Sequence, residues 1–135
     1  MSVRLRYRIE VGLSSTNAEG NDLGHLISEV VADTQGKGGV FKTTIAVGGT
    51  NVQVCLDNIG HTCFLFLKTT TVDPTLALPP VTIRRNTNTA ETIDMTPLDG
   101  AREAHLVLLN SDLSALFVTN TGAAAVELTV AMAGD

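Results

Sequence analysis

The chain has no tryptophan, one tyrosine and two cysteines, and only 17% of its 135 residues are charged. Each scarcity removes something. Sugar-binding modules stack pyranose faces on aromatic rings, and one tyrosine with four phenylalanines supplies few platforms. Any disulfide or cysteine-based metal reading must start from the one stretch that holds both cysteines. No run of about 18 apolar residues is present to span a membrane as a helix. The opening "MSVRLRYRIEVGL" carries arginines where a secretion signal needs an unbroken apolar stretch, so synthesis in a cytosol is expected. A net charge of −5 and the lack of a long basic run oppose attraction to nucleic-acid phosphates. What is there is apolar substance: 44% hydrophobic residues argue against disorder. A chain of this length is expected to form one domain, 1–135, burying roughly two thirds of its unfolded surface.

The clearest local pattern is at the start. Val3, Leu5, Tyr7, Ile9, Val11 and Leu13 alternate with Arg4, Arg6, Arg8, Glu10 and Gly12, the period-two signature of a strand with one wet face. "SSTNAEGNDLG" concentrates turn-forming residues and reads as a loop. "HLISEVVAD" is rich in β-branched residues and precedes "TQGKGG", which favours an irregular strand over a short helix. From Val40 onward, short apolar runs recur between Gly, Asn, Asp and Pro: "VFKTTIAV", "NVQVCLD", "TCFLFLKTT", "VTIRRNT", "ETIDM", "AHLVLLN", "ALFVTN" and "AVELTVAM". That spacing predicts an all-β antiparallel sandwich or barrel of about eight to nine strands. No amphipathic helix separates the strands, so an alternating βαβ architecture is disfavoured.

"VCLDNIGHTCFLFLK", Val54 to Lys68, gathers Cys55, Asp57, His61 and Cys63. A symmetric hairpin about Ile59 would place Cys55 opposite Cys63, Asp57 opposite His61 and Val54 opposite Phe64. Val52, Val54, Phe64 and Phe66 would then share one apolar face, with Phe64 and Phe66 feeding the core, while four possible zinc ligands share the other. The arrangement depends on that register, and the paired cysteine spacing of a zinc ribbon is absent. Opposed cysteines can also form a disulfide. Two reduced, unlinked and metal-free thiols packed as small hydrophobes are the preferred reading.

Nucleophile elbows, H-E-x-x-H helices and acidic calcium loops are missing, and His25, His61 and His105 stand apart in sequence. No catalytic residue, cofactor or metal ligand is therefore assigned, and the chain reads as a non-enzyme. "TQGKGG" has the glycines and lysine of a phosphate loop without their order. Two segments qualify as partner-binding. Arg4, Arg6 and Arg8 share a strand face that can dock an acidic surface or, by preference, is a solvated face or an edge strand guarded by charge against unwanted pairing. "DPTLALPP" presents Leu76 and Leu78 between prolines, either as an apolar arm or, by preference, as a cap on its own sandwich.

"FKTTIAVGGTNVQVCLDNIGHTCFLFLKTTT" together with "LFVTNTGAAAVELTVAMAGD" resembles small tailed-bacteriophage virion proteins of jelly-roll type. The shared pattern is a G-T turn into a strand, a turn of the D-N-I-G kind, a strongly apolar strand, and a closing L-x-V-x-N-T before the last strand. It covers roughly Val40 to Asp135. The resemblance implies a jelly-roll fold and a capsid decoration or cement protein, made in the host bacterial cytoplasm and carried in the virion. It implies binding to the major capsid protein or other virion proteins, with self-association. The alternative is a tail or fibre-associated jelly-roll module that binds carbohydrate or a receptor. A metal-dependent cupin-type enzyme would need histidines and a carboxylate converging in a barrel, and the histidine spacing gives that no support.

Overall fold

The computed structural model describes residues 3–14, 22–34, 37–54, 56 and 62–134. Among these residues there is no helix, and ten strands follow in order. They are β1 (Val3–Ser14), β2 (Asp22–Thr34), β3 (Lys37–Ile45), β4 (Val52–Val54), β5 (Thr62–Thr71), β6 (Val81–Arg85), β7 (Ile93–Met95), β8 (Glu103–Leu113), β9 (Leu116–Asn120) and β10 (Val126–Gly134). The expected all-β antiparallel sandwich is present, built from eight strands in two four-stranded sheets ordered β3-β10-β5-β8 and β4-β9-β6-β7. The other two strands, β1 and β2, form a sheet of their own.

Strand pairing in the sandwich is nested. The first strand pairs with the last, β3 with β10; inside them lie β4 with β9, then β5 with β8, and innermost β6 with β7. Two further pairings, β5 with β10 and β6 with β9, close each sheet. Within the sandwich, among the described residues, only β6 and β7 are neighbours both in sequence and in a sheet; every other connection there changes sheets.

The core forms where the inner faces meet. Along β10 the side chains of Val126, Leu128, Val130 and Met132 point inward, and along β9 Leu116, Val118 and Asn120 do the same. Leu65 and Leu67 of β5 meet Val81 and Ile83 of β6 within this cluster, with Leu56, Leu78 and Leu113 also part of it. Period-two alternation thus becomes burial on one face. Fully burying each aliphatic side chain contributes about 1.5–3 kcal/mol before conformational entropy is subtracted.

The local hairpin expected across Asn58–Gly60 is not the pairing found. Val54 faces Leu116 in one sheet, while Phe64 faces Ala133 and Leu109 in the other. The phase of β5 is also reversed: Leu65 and Leu67 enter the core, and Phe64 and Phe66 lie on the outer face of their sheet. The cause is that "CFLFL" is apolar on both faces, so hydrophobicity alone does not choose between them. Cys55, Asp57 to Gly60 and His61 lie outside the described residues, and with them falls the expected apposition of Cys55 and Cys63. "TQGKGG" resolves partly: Lys37, Gly38 and Gly39 are the extended start of β3, paired with Gly134, Ala133 and Met132. A phosphate loop would instead curl its amides around an anion.

Candidate interaction surface

β1 and β2 form an antiparallel ribbon registered from Val3 opposite Thr34 to Leu13 opposite Gly24. At about 3.3 Å per residue, the 12 residues of β1 extend roughly 40 Å. Because the pairing keeps like faces together, the alternation seen in β1 divides the whole ribbon. One face carries Arg4, Arg6, Arg8 and Glu10, with His25, Ile27 and Glu29 from β2. The other carries Tyr7, Ile9, Val11 and Leu13, with Leu26 and Ser28.

On the charged face Arg6 pairs with Glu29 at 3.1 Å and Arg8 with Glu10 at 3.1 Å, while His25 contacts Glu10 at 3.0 Å. The arginine row is therefore largely balanced by carboxylates within its own ribbon. Exposed pairs of this kind contribute less than about 1 kcal/mol each, so they define register and solubility more than stability. β1 supplied its own counterion, Glu10, in the sequence pattern; Glu29 became visible only once β2 was placed beside it.

Among the described residues the apolar face meets the sandwich through an aromatic contact. Tyr7 stacks on Phe64 with ring centroids 5.3 Å apart and planes at 22°. This contact explains why Phe64, on an outer sheet face, is nevertheless buried. Two shallow grooves flank it. One lies between Tyr7, Arg8 and Ile9 and the residues Phe66 and Val107; the other lies between Arg4 and Arg6 and the residues Gly39 and Val40. Beyond Tyr7 the stripe emerges into solvent, with Leu13 60% and Leu26 61% exposed.

A second surface sits where the β5–β6 and β7–β8 connections meet. Asp73 opens the first connection with an Asx turn, accepting hydrogen bonds from the Thr75 amide at 2.9 Å and its hydroxyl at 2.7 Å. The hydroxyl first and the amide second hold the Asp73 carboxyl below the usual carboxylate range. Arg102 donates to the Pro74 carbonyl, linking the two connections. The two leucines of "DPTLALPP" then part company: Leu78, 6% exposed, joins the core, whereas Leu76 is 46% exposed. Leu76 and Leu98 line a groove together with Thr75, Thr96, Asp99 and Arg102. The expected cap is thus Leu78, and the expected arm is reduced to Leu76. Leu98 was missed because it stands alone in sequence and is brought to Leu76 only by the fold.

The histidines are not brought together among the described residues. His25 contacts Glu10, and His105 stacks on Phe66 at 5.6 Å while contacting Glu103 at 3.2 Å. No group of three or more His, Cys, Asp or Glu side chains able to hold a metal occurs among the described residues. Compared with known proteins, the chain matches no family model, no curated protein and no solved structure.

Proposed function

We propose that this chain is a non-enzymatic structural protein of a tailed-bacteriophage virion, acting as a capsid decoration protein that binds the assembled shell. Its two sheets, numbered from β3 as the first strand, run first-eighth-third-sixth and second-seventh-fourth-fifth. That order supports reading the sandwich as a jelly roll, an architecture common in viral shells and also in lectins and cupins. Because a fold does not define a function, the reading rests on a surface feature. The observation that carries it is the pair of separate exposed apolar surfaces, the ribbon stripe and the groove rimmed by Leu76 and Leu98. A decoration protein that also self-associates would use one surface for its own copies and another for the shell. Binding the assembled lattice in preference to free subunits would stabilise the shell by linkage, and repetition over many sites would multiply weak contacts.

The test is co-sedimentation with purified capsids, joined to copy number by quantitative mass spectrometry of intact virions. Capsid-like stoichiometry is expected. Specific retention on glycans with no capsid binding would replace this reading with the fibre-associated module, and one or a few rings per particle would move the protein to the tail.

A further inference from the structure

We propose that β1 is a self-association strand, pairing antiparallel with β1 of a second copy about a twofold axis at Ile9. The result is a continuous four-stranded sheet, β2-β1-β1-β2. Four observations lead there. First, β2 is the only sheet neighbour of β1 among the described residues, so one edge of a 12-residue strand has no sheet partner. A two-stranded ribbon of that kind is marginal in water unless it gains a further strand or a packed face. Second, β1 lines both grooves on the outer sandwich sheet. A strand added at its open edge would be placed beside them. Third, Ile9, Val11, Leu13 and Leu26 remain exposed beyond the Tyr7 contact. Together they approach the few hundred Å² that marks the largest apolar patch of an ordinary monomer.

The fourth observation identifies the occupant. Antiparallel self-pairing keeps apolar positions opposite apolar ones only when the axis passes through a residue, because a one-residue slip sets the charged face against the apolar one. An axis at Tyr7 would oppose Arg6 to Arg8 twice, one at Arg8 would oppose that residue to itself, and one at Glu10 would do the same for glutamate. With the axis at Ile9, Arg8 faces Glu10 of the second copy on both sides, Tyr7 faces Val11, and Arg6 faces Gly12. No like charges meet. Moving the axis on to Val11 keeps the charges apart but gives up both opposite-charge pairs and shortens the overlap. β1 is thus charge-complementary to itself in one long register. Each copy's exposed Val11 would then lie next to the other copy's Tyr7, where the ribbon is already seated on a sandwich.

Sedimentation equilibrium on the full chain tests this without any capsid, so it and the decoration reading can fail separately. The wild type is expected to form a dimer of twice the 14.2 kDa chain mass. Arg8→Glu alone and Glu10→Arg alone each create two like-charge oppositions and should weaken association at least about tenfold. An equimolar mixture of the two variants restores opposite charges at both sites and should associate within about threefold of wild type. The Arg8–Glu10 contact within one chain stays broken in both variants, so recovery on mixing reports contact between copies. Both side chains are about half exposed, and circular dichroism verifies that the variants fold. A wild type that stays monomeric at about 0.5 mM, a closed oligomer other than a dimer, or a mixture no stronger than its components would overturn the proposal.

Discussion

The side-chain amide of Asn120 donates to the main-chain carbonyl of Ile45 at 3.3 Å, joining the end of β9 to the end of β3 in the opposite sheet. The same nitrogen reaches the carbonyls of Ala46 at 3.3 Å and Ala124 at 2.8 Å, and its Oδ1 accepts from the Gly122 amide at 3.0 Å. Asn120 is 1% exposed, so these main-chain groups have little access to water in its place. Asn120→Ala should lower stability by about 2–4 kcal/mol, since several buried groups lose their partner together. Asn120→Asp should cost at least as much at neutral pH, because a carboxylate donates nothing and would face three carbonyl oxygens. Urea denaturation of the two variants checks both the magnitude and the order.

Thr69 offers a change of the opposite sign. It is buried, and its hydroxyl has no hydrogen-bond partner among the described residues. Valine has nearly the same shape without the desolvated oxygen. Thr69→Val should therefore raise stability by about 1 kcal/mol, whereas Thr69→Ser should lower it by removing the methyl and keeping the hydroxyl. A higher urea midpoint for the valine variant at unchanged slope is the expected reading.

Gly122 lies beneath the capping loop, where a Cβ would stand 2.0 Å from Cβ of Pro79. Replacing glycine by alanine usually stabilises slightly by restricting the unfolded chain. Gly122→Ala should instead destabilise by about 1–3 kcal/mol, because the Pro79 ring must move and Leu78 beside it belongs to the core. Thermal or urea unfolding measures the sign directly.

Asp73 predicts a pH dependence. Its carboxyl is held below the ordinary value by the two hydrogen bonds from Thr75, so the folded state favours the ionised form. That contribution is present above the unfolded-state value near 3.8 and is lost as pH falls through the lower folded-state value. The stability gap between wild type and Asp73→Ala should accordingly narrow with acidification across that interval. NMR titration of the Asp73 side-chain carbonyl should place its midpoint below 3.8 in the folded protein.

How much of this was readable from sequence differs from element to element. The alternation from Val3 to Leu13 located β1 and its two faces by their polarity, and the runs "ALFVTN" and "AVELTVAM" located β9 and β10, which carry their burial pattern in a period of two. Partners were not readable. Alternation specifies which residues share a face but not which strand lies alongside, and in nested pairing the partners of β3 are 81 to 97 residues away. Phe64 shows the limit most clearly. A strand apolar on both sides has two possible phases, and the one adopted depends on Tyr7, a residue from a remote element that covers the outer face. The interaction surfaces followed the same division: Arg4, Arg6 and Arg8 were visible as a row, while Glu29, Leu26 and Leu98 required the tertiary arrangement.

The nested order has a kinetic consequence during synthesis. β10 lies between β3 and β5, two strands that do not pair with each other. Until residues 126–134 have left the ribosome, β3 and β5 wait with no shared neighbour and their apolar inner faces open to solvent. The first strand of the sandwich to be made, β3, is thus among the last to be secured, and a chain held short of β10 exposes the kind of apolar surface and unpaired edge from which aggregation starts.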